Sequence, residues 1–336
     1  MQIEAAALAN DLIAYDPLIL GIGPGASLRV DFTAFAGDPG TVAARAESWL
    51  QRLPCPSIAL TATPMRLKGF DLSVSSPAEA ERLEAATENN PSASTVLVQA
   101  LRLIEGLPPQ AGLVVESLAF ATLQQGHEFQ NWLSRLPLSD RTPPTGCAPA
   151  AAPPDAPPLL VEQDGRAMTI LLNRPATRNA IDVAMRDALF EAFSLAAMSS
   201  DITRVDVRGA GDSFSIGGAL SEFGQVASGA SAHLIRTERL PARMLADHGH
   251  KYHFHLHGAV VGAGLEIAAF GGKVTAKSNT FMRLPEISMG LIPGAGGCVS
   301  LTKRLGRQGA AWMIMTGGRV SARTALRWGL IDGIED

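Results

Sequence analysis

Eight prolines fall within the 22 residues from Pro137 to Pro158, PLSDRTPPTGCAPAAAPPDAPP. Proline fixes φ and lacks the backbone N–H, so neither a helix nor a central strand can run through such a stretch, which reads as an extended, semi-rigid tether. The chain of 336 residues is therefore expected to divide into an N-terminal α/β segment (1–136), a linker (137–158) and a C-terminal part (159–336). This length allows one large domain or two modest ones, with ample chain for a packed core.

Composition narrows the class. With 46% hydrophobic and 18% charged residues the chain suits a soluble α/β protein and is not a disordered one. A formal net charge of −4 offers no electrostatic footprint for nucleic acid or an anionic membrane surface. Cys55, Cys147 and Cys298 are odd in number and far apart, so they suggest neither a disulfide framework nor a metal knuckle. The opening MQIEAAALANDLIAYD has no basic region before an apolar stretch and does not read as a signal peptide. The apolar run Gly258–Gly272 is too short to span a bilayer and carries Glu266. A cytoplasmic, soluble protein is expected.

Strand and helix patterns alternate after the linker. Met168–Asn173, Arg204–Arg208, Lys251–His257 and Leu330–Ile334 read as strands. Asp182–Met198, capped by Asp182, and His233–Ala246 read as helices, followed by a short one near Gly264 and others over Gly297–Leu305, Gln308–Thr316 and Ala322–Trp328. Before the linker, strands are expected at Leu18–Ile22, Ser27–Phe32 and Ser57–Thr63. Helices are expected at Thr41–Leu53, Pro77–Ala86, Ser94–Ile104 and Gln110–Leu133. The run GIGPG (Gly21–Gly25) precedes a strand-like SLRVDF rather than a helix, so it reads as a turn and not as a phosphate loop.

Three segments carry the chemistry: LLNRPATRNAI (Leu171–Ile181), SFSIGGALSEF (Ser213–Phe223), and LHGAVVGAGLEIAAFGGKVTAKSNTFMRLPEISMGLIPGAGG (Leu256–Gly297). In order and spacing they resemble the enoyl-CoA hydratase/isomerase (crotonase) superfamily over nearly all of 159–334. The resemblance implies a crotonase-like α/β fold of repeated β-β-α units. It also implies a substrate that is an acyl-CoA thioester, with coenzyme A as part of that substrate and no separate cofactor or metal. A homo-oligomer, a trimer or hexamer, is implied as well.

Hydration of a thioester-conjugated double bond passes through an enolate-like state, and two backbone N–H groups aimed at the thioester oxygen would stabilise it. The resemblance places these donors at Ile216 and Ala263, on glycine turns formed by Gly217, Gly218, Gly262 and Gly264. Glu266 and Glu286 lie 20 residues apart, each among apolar neighbours where an unpaired carboxylate is costly. By resemblance Glu266 would activate water and Glu286 would move the proton at the α-carbon. Without that resemblance, either could equally cap a helix or pair with Arg283 or Arg304. The CoA moiety would lie near the loop bearing Arg174, Arg178 and Ala180, where the arginines could meet phosphate or be solvated charges. Leu284, Pro293 and Gly294 are expected beside the acyl group.

Some positions depart from the pattern. Ala219 stands where the family has an aspartate, Ile216 replaces a small residue, and the sequence stops at Asp336 where relatives continue with helices. Ser76–Leu133 reads like those helices, so the N-terminal segment is expected either to supply them or to be an unrelated accessory domain. Among the five histidines from His248 to His257, three alternate as on a strand face; a contact between adjacent copies or buried hydrogen-bonded histidines are expected there rather than a metal site. The function expected is that of an enoyl-CoA hydratase, with isomerase, carbon–carbon bond hydrolase or non-catalytic acyl-CoA-binding subunit as alternatives.

Overall fold

The computed structural model describes residues 1–10, 13, 16–19, 21–137 and 156–336; the middle of the proline-rich linker lies outside the described residues. The chain opens with β1 (Gln2–Glu4), α1 (Ala5–Asn10), β2 (Leu28–Asp31), α2 (Pro39–Leu50), β3 (Ser57–Leu60) and β4 (Leu72–Val74). These strands form a parallel sheet in the order β1-β2-β3-β4. Asp38 starts α2 by accepting the N–H groups of Gly40 and Thr41, with Pro39 at the first helical position. The strand expected at Leu18–Ile22 is instead a turn, in which the Ile19 N–H donates to Asp16 O and the Ile22 N–H to Pro17 O. Leu18 and Ile19 are exposed, so these apolar residues have no sheet to join.

Four helices follow: α3 (Pro77–Asn89), α4 (Pro91–Ile104), α5 (Pro109–Gln124) and α6 (His127–Arg135). The single helix expected over Gln110–Leu133 is broken at Gln125–Gly126.

The C-terminal part contains β5 (Leu159–Asp164), β6 (Ala167–Leu172), α7 (Val183–Met198), β7 (Arg204–Gly209), α8 (Gly229–Arg239), α9 (Ala242–His248), β8 (Tyr252–Leu256) and β9 (Ala259–Val261). It continues with α10 (Ala263–Ala268), β10 (Lys273–Ala276), β11 (Phe281–Arg283), α11 (Gly297–Thr316), β12 (Val320–Ser321), α12 (Ala322–Trp328) and β13 (Gly333–Ile334). A six-stranded sheet runs β13-β10-β8-β7-β6-β5, and a three-stranded one runs β12-β11-β9. The helix expected over His233–Ala246 is two helices, because Pro241 has no N–H to continue the ladder. α11 kinks at Gly306, whose φ is 73°. β5 went unpredicted because it shows no alternation of buried and exposed residues.

The packing joins the two sides of the linker. Leu83, Leu97, Leu101 and Phe120 from α3–α5 belong to one continuous core with Val299, Leu301 and Ile314 of α11. Buried Asp71 accepts from Arg102 Nε of α4 at 2.9 Å and from Arg307 Nη1 of α11 at 2.8 Å, tying the small sheet to both helices. None of the described helices is long and apolar enough to cross a membrane.

Candidate active site

Two glycine turns lie against each other at the edge of the three-stranded sheet, joined where the Val261 N–H donates to Ser215 O at 3.0 Å. Gly217 has φ 88°, and a Cβ there would sit 2.8 Å from the Val261 carbonyl oxygen. Gly262 has φ 49° and a Cβ on it would come within 2.9 Å of Glu286 Oε1. Side chains at either position would close the gap between the turns, and L residues avoid such φ values.

Between the turns is a cavity of about 180 Å³, walled by Ile216, Gly217, Gly218, Gly262, Ala263, Glu266 and Glu286, together with Gly294 and the Phe120 ring of α5 packed against it. The Ala263 N–H, in the first turn of α10, has no acceptor among the described residues. The Ile216 N–H donates to Arg178 O at 3.2 Å, so it must share or give up that long bond to reach a ligand oxygen.

Larger spaces adjoin the cavity on both sides. A groove of about 740 Å³ shares Ile216 and Gly218 with it and is lined by Arg178, Ala180, Phe281, Arg283 and Arg319. A mainly apolar space of about 580 Å³ shares Ala263, Gly294 and Ala295, and is lined by Ile181, Ile235, Leu240 and Ile267 together with Arg186 and Arg236. The small cavity thus shares wall residues with both larger spaces.

Some expected residues lie elsewhere. Arg174 lines none of the three spaces; its Nη1 is spent on the carbonyls of Ala156 and Asn173. Leu284 is fully buried in the core, Gly264 packs against Ser215, and Pro293 packs against Gly297, all outside the lining. In the LNRPATRNA loop it is Asn179 that organises the backbone. Buried and at φ 53°, it accepts from the Arg174 N–H and donates to the carbonyls of Ala210 and Ser213.

Glu266 Oε2 accepts the N–H groups of Ala295 (2.7 Å) and Gly297 (2.9 Å). Burial pushes its pKa up to about 7 despite those bonds. Glu286 is also buried, with Oε2 unpartnered among the described residues; burial, then the charge of Glu266, holds its carboxyl well above the usual range. Arg283 Nε bonds Gly317 O, and Arg304 bonds Ala269 O and Gly271 O beside Asp332. Neither arginine is hydrogen-bonded to Glu266 or Glu286, and two poorly neutralised acids on one small cavity are suited to proton transfer.

Glu116, Arg236 and Arg319 stand at or beside the site without having been anticipated, and Arg283, expected only as an ion-pair partner of the glutamates, lines the groove. The signal for Glu116 was present: a lone acid in GLVVESLAF, at helical spacing from Gly112 and Phe120. The histidines meet on the sheet face, where Asp206 Oδ1 lies 2.7 Å from His255 Nε2 and 3.7 Å from His253 Nδ1. Their remaining nitrogens face Thr275 and Glu335, and Arg204 grips Asp206. Burial, then the neighbouring His255 and Lys273, pushes His253 down to about 4.

Residues 162–335 match the enoyl-CoA hydratase/isomerase family. The 2,3-dehydroadipyl-CoA hydratase of Escherichia coli (strain K12) is 31% identical over 176 residues, which is 52% of this chain and 68% of that protein. Among solved structures, an enoyl-CoA hydratase from Thermoplasma volcanium GSS1 is 32% identical, covering 54% of this chain and 73% of that one at a TM-score of 0.49. Pseudomonas aeruginosa DspI is 31% identical, covering 56% and 77% at a TM-score of 0.49. The chain belongs to the enoyl-CoA hydratase/isomerase family.

Proposed function

We propose that this protein adds water to, or removes it from, the 2,3-double bond of an acyl-CoA thioester. The observation that carries this reading is the meeting of Glu266, Glu286 and the unoccupied Ala263 N–H on one small cavity. The CoA moiety would lie in the groove beside Arg178, Arg283 and Arg319, with phosphate recognised by guanidinium. The acyl chain would extend past Ala263 into the apolar space.

In the hydration direction the thioester oxygen sits against Ala263 N–H, joined by Ile216 N–H. Glu266 takes a proton from water as the oxygen attacks C3, and the negative charge develops on the thioester oxygen. Each oxyanion donor is worth about 10²–10³ in rate. Glu286, whose protonated form burial favours, then delivers its proton to C2. One water is added, and the Glu286 proton is replaced by the one Glu266 received. The same reading implies a homo-oligomer, which light scattering of the purified protein would detect.

The test is mass spectrometry on a panel of trans-2-enoyl-CoAs of different chain length. A gain of water is expected, falling by on the order of 10²–10⁴ in Glu286→Gln while CoA-thioester binding persists. A moved double bond or released CoA would replace hydration by isomerisation or hydrolysis. Binding without turnover would favour a non-catalytic acyl-CoA-binding subunit.

A further inference from the structure

Four consecutive backbone N–H groups are held in alternation by two buried carboxyls. Glu266 takes those of Ala295 and Gly297, while Glu116 takes Gly296 through Oε1 at 2.6 Å and Cys298 through Oε2 at 2.7 Å. Glu266 belongs to α10, but Glu116 belongs to α5, on the other side of the proline-rich linker. Alternation along one turn forces the two carboxyls close together, where like charges resist ionising at once and titrate as a pair.

The groups facing Glu116 come from every side. Arg236 of α8 donates to Gly294 O at 3.2 Å and lies 4.0 Å over the Phe120 ring, supplying one positive charge. Glu286 lies across the cavity, and Cys298 of α11 is kept as a neutral thiol by burial. Thus two cations face three buried acids, Arg236 beside Glu116 and Glu266 and Arg283 beside Glu286, while the amides of residues 295–298 serve the first two. Burial, then repulsion from Glu266, pushes Glu116 up to about 8.

We propose that Glu116 is a positioning residue for Glu266: the two carboxyls share a single negative charge across the 295–298 turn, and Glu116 thereby sets the pH range in which Glu266 carries it. The proposal rests on the reading of Glu266 as the base that activates water. It makes the segment before the linker part of the site's proton inventory rather than only a lid.

The signs follow from electrostatics. In the parent Glu116 holds part of the shared charge while the pair titrates; in Glu116→Gln only Glu266 can hold it, so the acid limb of kcat/KM moves to lower pH. Without the Arg236 charge the limb moves to higher pH in Arg236→Gln. A merely structural clamp would lower kcat at every pH and leave the limb in place; an unmoved limb in folded Glu116→Gln overturns the proposal. If that variant does not fold, or if the parent turns over no enoyl-CoA, an infrared pH titration decides. It is made on Glu286→Gln, so that the buried-carboxyl band reports Glu116 and Glu266. Loss of the band in two separated steps supports the shared charge, and loss in one step overturns it. Absence of turnover with two steps would remove the functional reading alone.

Discussion

The two stretches before the linker bury themselves in different ways. Residues 5–70 have a core of their own around Leu28, Trp49 and Phe70. Helices α3–α6 have none: Leu83, Leu97, Leu101, Phe120 and Phe129 belong to the same core as the C-terminal part. β3 shows the division at single-residue resolution, with Ala59 in the small core and Ile58 and Leu60 in the large one. Alternate strand residues point to opposite faces, so this strand serves both bodies. Of the two stretches, only the helices bring an aromatic ring, Phe120, to the cavity and a carboxyl, Glu116, to the turn beside it. A segment that cannot close its own core is the one that completes the site.

Removing the helices should break this comparison most severely. Residues 159–336 alone would expose the faces of α11 that α3–α5 cover, including Val299, Leu301 and Ile314. No cooperative thermal transition and no turnover are expected by circular dichroism and assay; a folded, fully active fragment would show that the helices are dispensable.

Asp71→Asn should have the next largest effect. Its carboxylate joins Ser57 of the small sheet to Arg102 and Arg307, and the change leaves Arg102 buried without its counter-charge and Arg307 with Glu105 alone. A cost of about 3–5 kcal/mol is expected in denaturant unfolding. If the midpoint is unchanged, the small sheet is coupled to the helices by some other contact.

The smallest effect is on pH dependence. Glu116, Glu266 and Glu286 all have folded pKa values above the unfolded one, so each binds its proton more tightly when folded. Their contribution is fully present below the unfolded carboxyl pKa of about 4.5 and is lost as pH rises through the folded values. Melting temperature should therefore fall from pH 5 to pH 8 in the parent. The fall should be shallower by a few degrees in Glu286→Gln, measured by calorimetry, because an amide has no proton to lose. Equal slopes would show that Glu286 does not titrate in this window.

Much of the site was legible from local rules. FSIGG and VGAG need glycine where φ is positive and backbones approach, and both turns form at those residues. Glu266 and Glu286 stood out because acids in apolar runs need a reason. Other assignments failed where burial decided. Leu284, expected beside the acyl group by resemblance, instead faces the core. Arg174 and Arg178 are equivalent as letters, but the chain near Ala156 captures only the first.

Local pattern was enough to place the glycine turns and the carboxyls of α10 and of the turn after β11, because φ limits, periodicity and desolvation act within a few residues. It could not place Glu116. Its role depends on amides that are 180 and 182 residues away in sequence and on a guanidinium from α8. Charge coupling acts through space, and only the packing of α5 against α8 and α11 brings those groups within its range.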